Sequence, residues 1–238
     1  MKLQDIMRFL KLRKNKRNPS EKSYNNEENS YLTHLWNTNS KDEWDIALKK
    51  YWDLIKPQNT NLELRMERLN PDEIKKLSPE EFYNFLYNEY FVWKYTAKNR
   101  LATTRTQLNR YKTENRLNDL DRIRMEMLSF DLNDIELGLR ITKQINGLGI
   151  AGASGLLSLL YPKYFGTVDQ FVVLNLLRIE SLKQKDSLLL MKPESLRLKD
   201  GVELINILRD RANELNKANN TDKWTPRDID KALWAYRK

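Results

Sequence analysis

The chain has 238 residues, with 42 Lys and Arg against 33 Asp and Glu for a formal net charge of +9, a single His and no Cys. Without cysteine there is no disulfide framework, thiolate zinc site, cysteine-ligated iron–sulfur cluster or cysteine nucleophile, and His34 alone cannot build a multi-histidine metal centre. Any chemistry must therefore rest on carboxylates, amines, hydroxyls or amides.

A content of 40% apolar and 10% aromatic residues is enough to bury a core. No uncharged apolar run reaches the roughly 18 residues of a membrane span, and the opening residues lack the apolar centre of a signal peptide. A cytoplasmic protein without membrane contact is the expectation. The positive balance favours a polyanionic partner such as nucleic acid, although a merely solvated surface can be equally basic.

In chain order, a basic amphipathic helix carrying Leu3, Ile6, Met7 and Leu10 is followed by a polar segment over residues 14–30, so residues 1–40 are set apart from a helical domain spanning 41–238. Residues 41–55 place Trp44, Leu48, Tyr51, Trp52 and Ile55 along one helical face. Asn70-Pro71-Asp72-Glu73 and Ser78-Pro79-Glu80-Glu81 each combine a capping side chain, Pro at the first helical position and Glu three residues after the cap. Both mark helix starts. Residues 79–98 then carry a dense aromatic run: Phe82, Tyr83, Phe85, Tyr87, Tyr90, Phe91, Trp93 and Tyr95. Further helices are expected near 117–128, 132–145, 150–161, 169–180 and 200–217, and Thr225-Pro226-Arg227-Asp228 opens a last helix with Ile229, Leu233 and Tyr236 at helical spacing. Alternating strand patterns are almost absent, so the fold class is all-α.

Residues 93–124 hold nine Lys or Arg against three Asp or Glu. Arg100, Arg105 and Arg110 in that stretch suit contacts with a DNA backbone, as does the plainer alternative of a solvated helix face. Glycine is unevenly spread. All but Gly201 fall between Gly138 and Gly166, where backbone rather than side chain is needed.

Within that region, residues 139–161 run from one apolar helix ending at Ile145, through Gly147-Leu148-Gly149, directly into a second helix. The glycines allow a tight turn whose amides, with the next helix start, can face a phosphate. Leu148 is expected to plug back into the turn, and Ala153 and Gly155 to let the two helices approach. A simple glycine C-cap is the competing explanation. The loop Tyr161-Pro162-Lys163-Tyr164-Phe165-Gly166-Thr167-Val168-Asp169 follows and ends on an acidic residue at a helix start.

The hairpin, the Pro- and Gly-containing loop and the Val168-Asp169 pair together resemble the HhH-GPD superfamily of DNA glycosylases over about residues 139–180. The resemblance implies a two-lobed helical fold with double-stranded DNA as partner. It implies a helix-hairpin-helix gripping the backbone through Gly147, Leu148, Gly149 and Ala151, and a flipped nucleotide entering the cleft between lobes. Asp169 would be the catalytic carboxylate, stabilising positive charge on the sugar and activating water as the base departs. As a residue at a helix start, Asp169 is equally suited to a plain N-cap. Trp93, Tyr95 and Asn99 are the candidate base pocket by stacking and polar reading, although aromatics on such a helix usually belong to the core. Lys143 and Lys163 are further candidates for the DNA backbone.

Bifunctional members carry a Schiff-base lysine on the second hairpin helix, and the aligned position here is Ala151, so a monofunctional enzyme without lyase activity is expected. No cofactor is implied, beyond a monovalent cation that such a hairpin can hold. The wording around Glu89–Tyr95 and Ala153–Leu157 resembles an accessory bacterial group, the anti-phage glycosylases that excise glucosylated hydroxymethylcytosine from phage DNA. A repair enzyme for alkylated or deaminated bases, a non-catalytic DNA-binding hairpin protein and a helical interaction scaffold are the rival readings.

Overall fold

The computed structural model describes residues 29–237, which are helical with short connections and contain no strand. The expected N-terminal basic helix and nearly all of the polar segment lie outside the described residues. The chain is helical over 29–37 (α1), within the part set apart by the expected boundary at 40. Leu32 and Leu35 of α1 are buried, and Tyr31 packs its ring on Tyr236 near the C-terminus. Residues 29–37 thus share the core of the main domain.

The helices that follow are α2 (Lys41–Asp53), α3 (Thr60–Glu67), α4 (Pro71–Lys76) and α5 (Pro79–Phe85). Their starts obey the capping logic. Asn70 accepts the Asp72 amide at 2.8 Å, and Ser78 and Glu81 complete a reciprocal capping box. The aromatic run is not one regular helix. Leu86–Tyr90 forms a π turn between α5 and α6 (Phe91–Lys94), and the helix stops at Lys94 instead of continuing to 98. One extra residue in a turn rotates everything downstream. Phe82, Phe85, Leu86, Tyr90 and Phe91 are buried, while Trp93 and Lys94 come round to a partly open face.

Helices α7 (Lys98–Thr113), α8 (Leu117–Met127), α9 (Ile135–Thr142), α10 (Ile150–Leu160), α11 (Gln170–Arg178), α12 (Lys185–Leu189), α13 (Leu198–Asn219) and α14 (Pro226–Trp234) complete the chain. Helix α9 is shorter than the expected 132–145, because Asp134 caps it by accepting the Leu137 amide and the chain turns after Thr142. Helices α5 to α9 pack successively against one another, and α14 gathers α2, α11 and α13. Between these groups lies α10, buried from Gly152 to Leu160 and touching α9, α13 and α14.

The glycines explain how α10 is enclosed. A Cβ on Gly201 would meet Ile150 at 2.6 Å, so α13 crosses α10 there. A Cβ on Gly155 would lie 2.8 Å from the Tyr90 hydroxyl and 3.3 Å from Lys94 Cδ. Gly155 therefore admits the 90–94 segment onto α10, whereas the sequence suggested that it admits α9. Among the described residues no helix is long and apolar enough to cross a membrane.

Candidate active site

The stretch from Phe165 to Asp169 is an extended strap held from both sides. On one side, Ser154 of α10 accepts the Val168 amide at 3.0 Å, and the Ser158 and Thr167 hydroxyls are 2.9 Å apart. On the other, Asp230 of α14 accepts the Thr167 amide at 2.6 Å and Arg227 donates to the Thr167 hydroxyl at 3.3 Å. Gly166 is required by close approach, since a Cβ would fall 2.7 Å from the Pro226 carbonyl oxygen. With its flanks fixed, Asp169 has little freedom of position.

The two oxygens of Asp169 have different surroundings. Oδ1 accepts the amides of Phe171 at 2.9 Å and Val172 at 3.4 Å, which caps α11. Oδ2 lies 3.3 Å from Nζ of Lys94, and the two side chains are 18% and 10% exposed. The residue is thus both a cap and one half of a nearly buried ion pair.

This pair opens into a cavity of about 520 Å³. Its walls are the end of α2 with Tyr51 and Ile55, Gln58 and Asn59, Glu63 of α3, Trp93 and Lys94 of α6, Asp169, Phe171 and Val172, and Arg227, Asp230 and Trp234 of α14. Such a volume suits a small-molecule-sized group. A larger groove, about 1000 Å³, runs past Trp36, Arg211 and Lys217, is more open, and among its lining residues the buried charge is Arg211, paired with Glu214 at 2.8 Å.

One wall of the cavity is formed by a buried charge network centred on Arg227, which is 4% exposed. Its guanidinium donates to Glu67 at 2.6 Å and Asp230 at 2.9 Å, and lies 3.6 Å from Glu63. Lys231 adds a second bond to Glu67 at 2.8 Å. Glu63 accepts hydrogen bonds from the Tyr51 hydroxyl and, at 2.8 Å, from the Trp93 indole N–H. Buried charges persist only when paired and hydrogen-bonded in this way. Burial alone would raise the Glu67 pKa, but the charges and bonds of Arg227 and Lys231 outweigh it and lower it to about 2. For Asp230 burial prevails over Arg227 and the Thr167 amide, and its pKa is pushed up to about 6. Tyr51 is raised, chiefly by burial.

The predicted site residues do not all converge. Trp93 and Asp169 line the cavity. Tyr95 does not: it is buried beside Phe91, with its hydroxyl donating to the Gly147 carbonyl at 3.4 Å and its pKa raised to about 12 by burial. Asn99 is exposed at the start of α7, outside the cavity walls. Both expected pocket positions are displaced because the helix ends at Lys94 and the chain turns away.

At the hairpin, Gly147 has φ +95°, and a Cβ there would meet Thr104 of α7 at 2.8 Å. Leu148 is buried as expected. Gly149 has open space around it and caps α10 without a side chain, leaving the first-turn amides of α10, Ala151 included, free of intrahelical acceptors. Lys143 and Lys163 are exposed, on the turn after α9 and in the loop after α10. Arg100 and Arg110 are exposed on α7, whereas Arg105 is held by its Nε bond to the Tyr87 carbonyl at 2.9 Å. His34 pairs with Glu43 at the surface.

Sequence reasoning puts Tyr51 on a core face and Arg227 at a helix start but marks neither, nor Glu63, Lys94 or Asp230, as a site residue. Only Lys94 had a local signal, a lone cation inside the run from Phe91 to Tyr95. Among the described residues no group of three or more His, Asp or Glu side chains is placed to hold a metal ion. Compared with models of known protein families, with curated proteins and with solved structures, the chain gives no match.

Proposed function

We propose that the protein is a DNA glycosylase that draws a modified nucleotide out of the duplex and hydrolyses its N-glycosidic bond, leaving an abasic site. The observation that carries this reading is Asp169. Its carboxylate is held by the strap and by α11, and its second oxygen faces Lys94 on the wall of a cavity of about 520 Å³, downstream of a glycine turn whose following helix starts without a side-chain cap. As the base leaves, positive charge grows on the sugar, and a fixed carboxylate on the cavity wall is well placed to stabilise it and to orient the attacking water. Trp93 offers an aromatic wall for the extruded base, and Glu63, steadied by Tyr51 and Trp93, offers an acceptor for its edge. In the proposed two-lobed description, the α5–α9 group and the group around α14 form the lobes and α7 with the hairpin meets the backbone. The free amides at Gly149 and Ala151, with Arg100 and Arg110 on α7, supply phosphate contacts.

The cavity volume supports a base with a bulky substituent, and glucosylated hydroxymethylcytosine in phage DNA is the proposed substrate, with antiviral defence as the role. Release of an alkylated or deaminated base instead would assign the protein to repair. The capping bonds of Asp169 favour a second reading, a non-catalytic DNA-binding protein in which the carboxylate only starts α11. Incubation with normal, damaged and hypermodified duplexes, followed by mass spectrometry of freed bases, separates them. The glycosylase reading expects release from one substrate and its loss in Asp169→Asn. Tight binding without release from any substrate supports the second reading.

A further inference from the structure

The charges on the cavity wall do not cancel. Its acids are Glu63, Asp169 and Asp230, and its cations are Lys56, Lys94, Arg227 and Arg237. Asp169 faces Lys94, while Glu63 and Asp230 face Arg227. Lys56 and Arg237 are left over, and among the described residues neither forms an ion pair. Lys56 is an ordinary exposed loop lysine. Arg237 is different, because it is half-buried and its guanidinium is fixed. The guanidinium carbon sits 3.1 Å over the centre of the Trp234 ring, and Nη1 donates to the Trp234 carbonyl at 3.2 Å. Trp234 is held in turn by an edge-on contact with Tyr51, with 5.2 Å between the ring centres. Burial outweighs the influence of Tyr51 and Asp169 and lowers the Arg237 pKa, the mark of a cation that has given up water without gaining a counter-ion.

We propose that Arg237, stacked on Trp234, is a phosphate seat on the cavity wall that binds a phosphodiester of the nucleotide the cavity takes in. This rests on the reading of the cavity as a nucleotide site. Stacking uses the face of the guanidinium and leaves its in-plane donors available. Only Nη1 is engaged, so Nε–H and Nη2–H remain side by side on one edge without an acceptor among the described residues. Such a planar fork matches two oxygens of a phosphate, which an ammonium such as Lys56 cannot do. The seat also suits the chemistry. A bare cation on the same wall as Asp169 would oppose the positive charge growing on the sugar, and a bound phosphate neutralises it.

The test is a thermodynamic cycle of binding affinities measured with the full chain. One change is Arg237→Gln. The other is made in a duplex bearing one tetrahydrofuran abasic nucleotide, whose 5′ or 3′ phosphodiester is replaced in turn by an uncharged methylphosphonate. Neutralising one of these two linkages should weaken binding by the parent about tenfold. Arg237→Gln should bind the ordinary duplex about tenfold more weakly and lose nothing further on the neutralised one. Losses that simply multiply overturn the proposal, as does a parent that binds all the duplexes equally or none of them. Arg237→Lys, which keeps the charge without the fork, takes its place in the cycle if Arg237→Gln fails to fold. Because no base is released in this assay, the two readings fail separately. Base release without coupling between Arg237 and a phosphate overturns only the seat. Coupling without base release from any substrate overturns the glycosylase and leaves a nucleotide-binding cavity.

Discussion

At the residue scale, Asp169 commits Oδ1 to the α11 amides and leaves Oδ2 to Lys94 on the cavity wall, so capping and chemistry can be separated by one atom. Asn caps a helix about as well as Asp. Asp169→Asn keeps the cap but leaves the nearly buried Lys94 ammonium facing a neutral amide, so it is expected to cost about 1–3 kcal/mol of stability while lowering base release by about 10²- to 10⁴-fold, the range for a catalytic carboxylate. Thermal melting and single-turnover base release on the same preparation check the two halves. Arg227 is the opposite case, because removing it strands Glu67 and Asp230 without their principal cation. Arg227→Met should cost about 3–5 kcal/mol, read by denaturant unfolding. Neither Arg227 nor Glu63 was legible in the sequence. Each looks like an ordinary helix-surface charge, and their meeting depends on α3 and α14 being brought together from distant parts of the chain.

At the element scale, the local signals were clear. The caps at Asn70, Ser78 and Thr225 start α4, α5 and α14 where the sequence placed them, because a cap and the first turn it serves are chain neighbours. The π turn was hidden, since the same aromatic spacing fits a regular helix, and its consequence was the misplacing of Tyr95 and Asn99. The glycines were visible, but their partners were not: Gly155 faces Tyr90 and Lys94, and Gly147 faces Thr104. The two hairpin glycines should behave differently. Gly147→Ala meets both a positive φ and Thr104, and is expected to lose about 1–3 kcal/mol. Gly149→Ala adds a methyl into open space, so its melting temperature should match the parent. If this turn seats a phosphate, its DNA affinity should nevertheless drop severalfold, measurable by fluorescence anisotropy.

At the scale of the whole molecule, a net charge of +9 with exposed arginines on α7 predicts DNA binding that weakens steeply with salt. Arg100→Ala and Arg110→Ala should each weaken binding to all sequences alike and reduce the salt slope by about one. The buried network sets the acid response. The Glu67 pKa in the folded chain, about 2, lies below its ordinary value of 4.5. Its stabilisation is therefore complete above pH 4.5 and is lost as pH falls toward 2. A displacement of that size corresponds to about 3 kcal/mol. Asp230 runs the other way, its raised pKa favouring the folded state at low pH and losing that contribution as pH rises from 3.8 to about 6. Glu67→Gln should therefore flatten the loss of stability below pH 4.5, as followed by melting temperature against pH.

The central claim is that Asp169 drives release of a base. It is tested most directly by incubating parent and Asp169→Asn proteins with phage DNA containing glucosylated hydroxymethylcytosine, damaged duplexes and unmodified DNA, and quantifying freed bases by mass spectrometry. The account predicts release from one of these substrates by the parent and a loss of at least a hundredfold in a folded Asp169→Asn, about the lower bound for a catalytic carboxylate. Release that is unchanged in Asp169→Asn, or none from any substrate by a parent that binds DNA tightly, would contradict it.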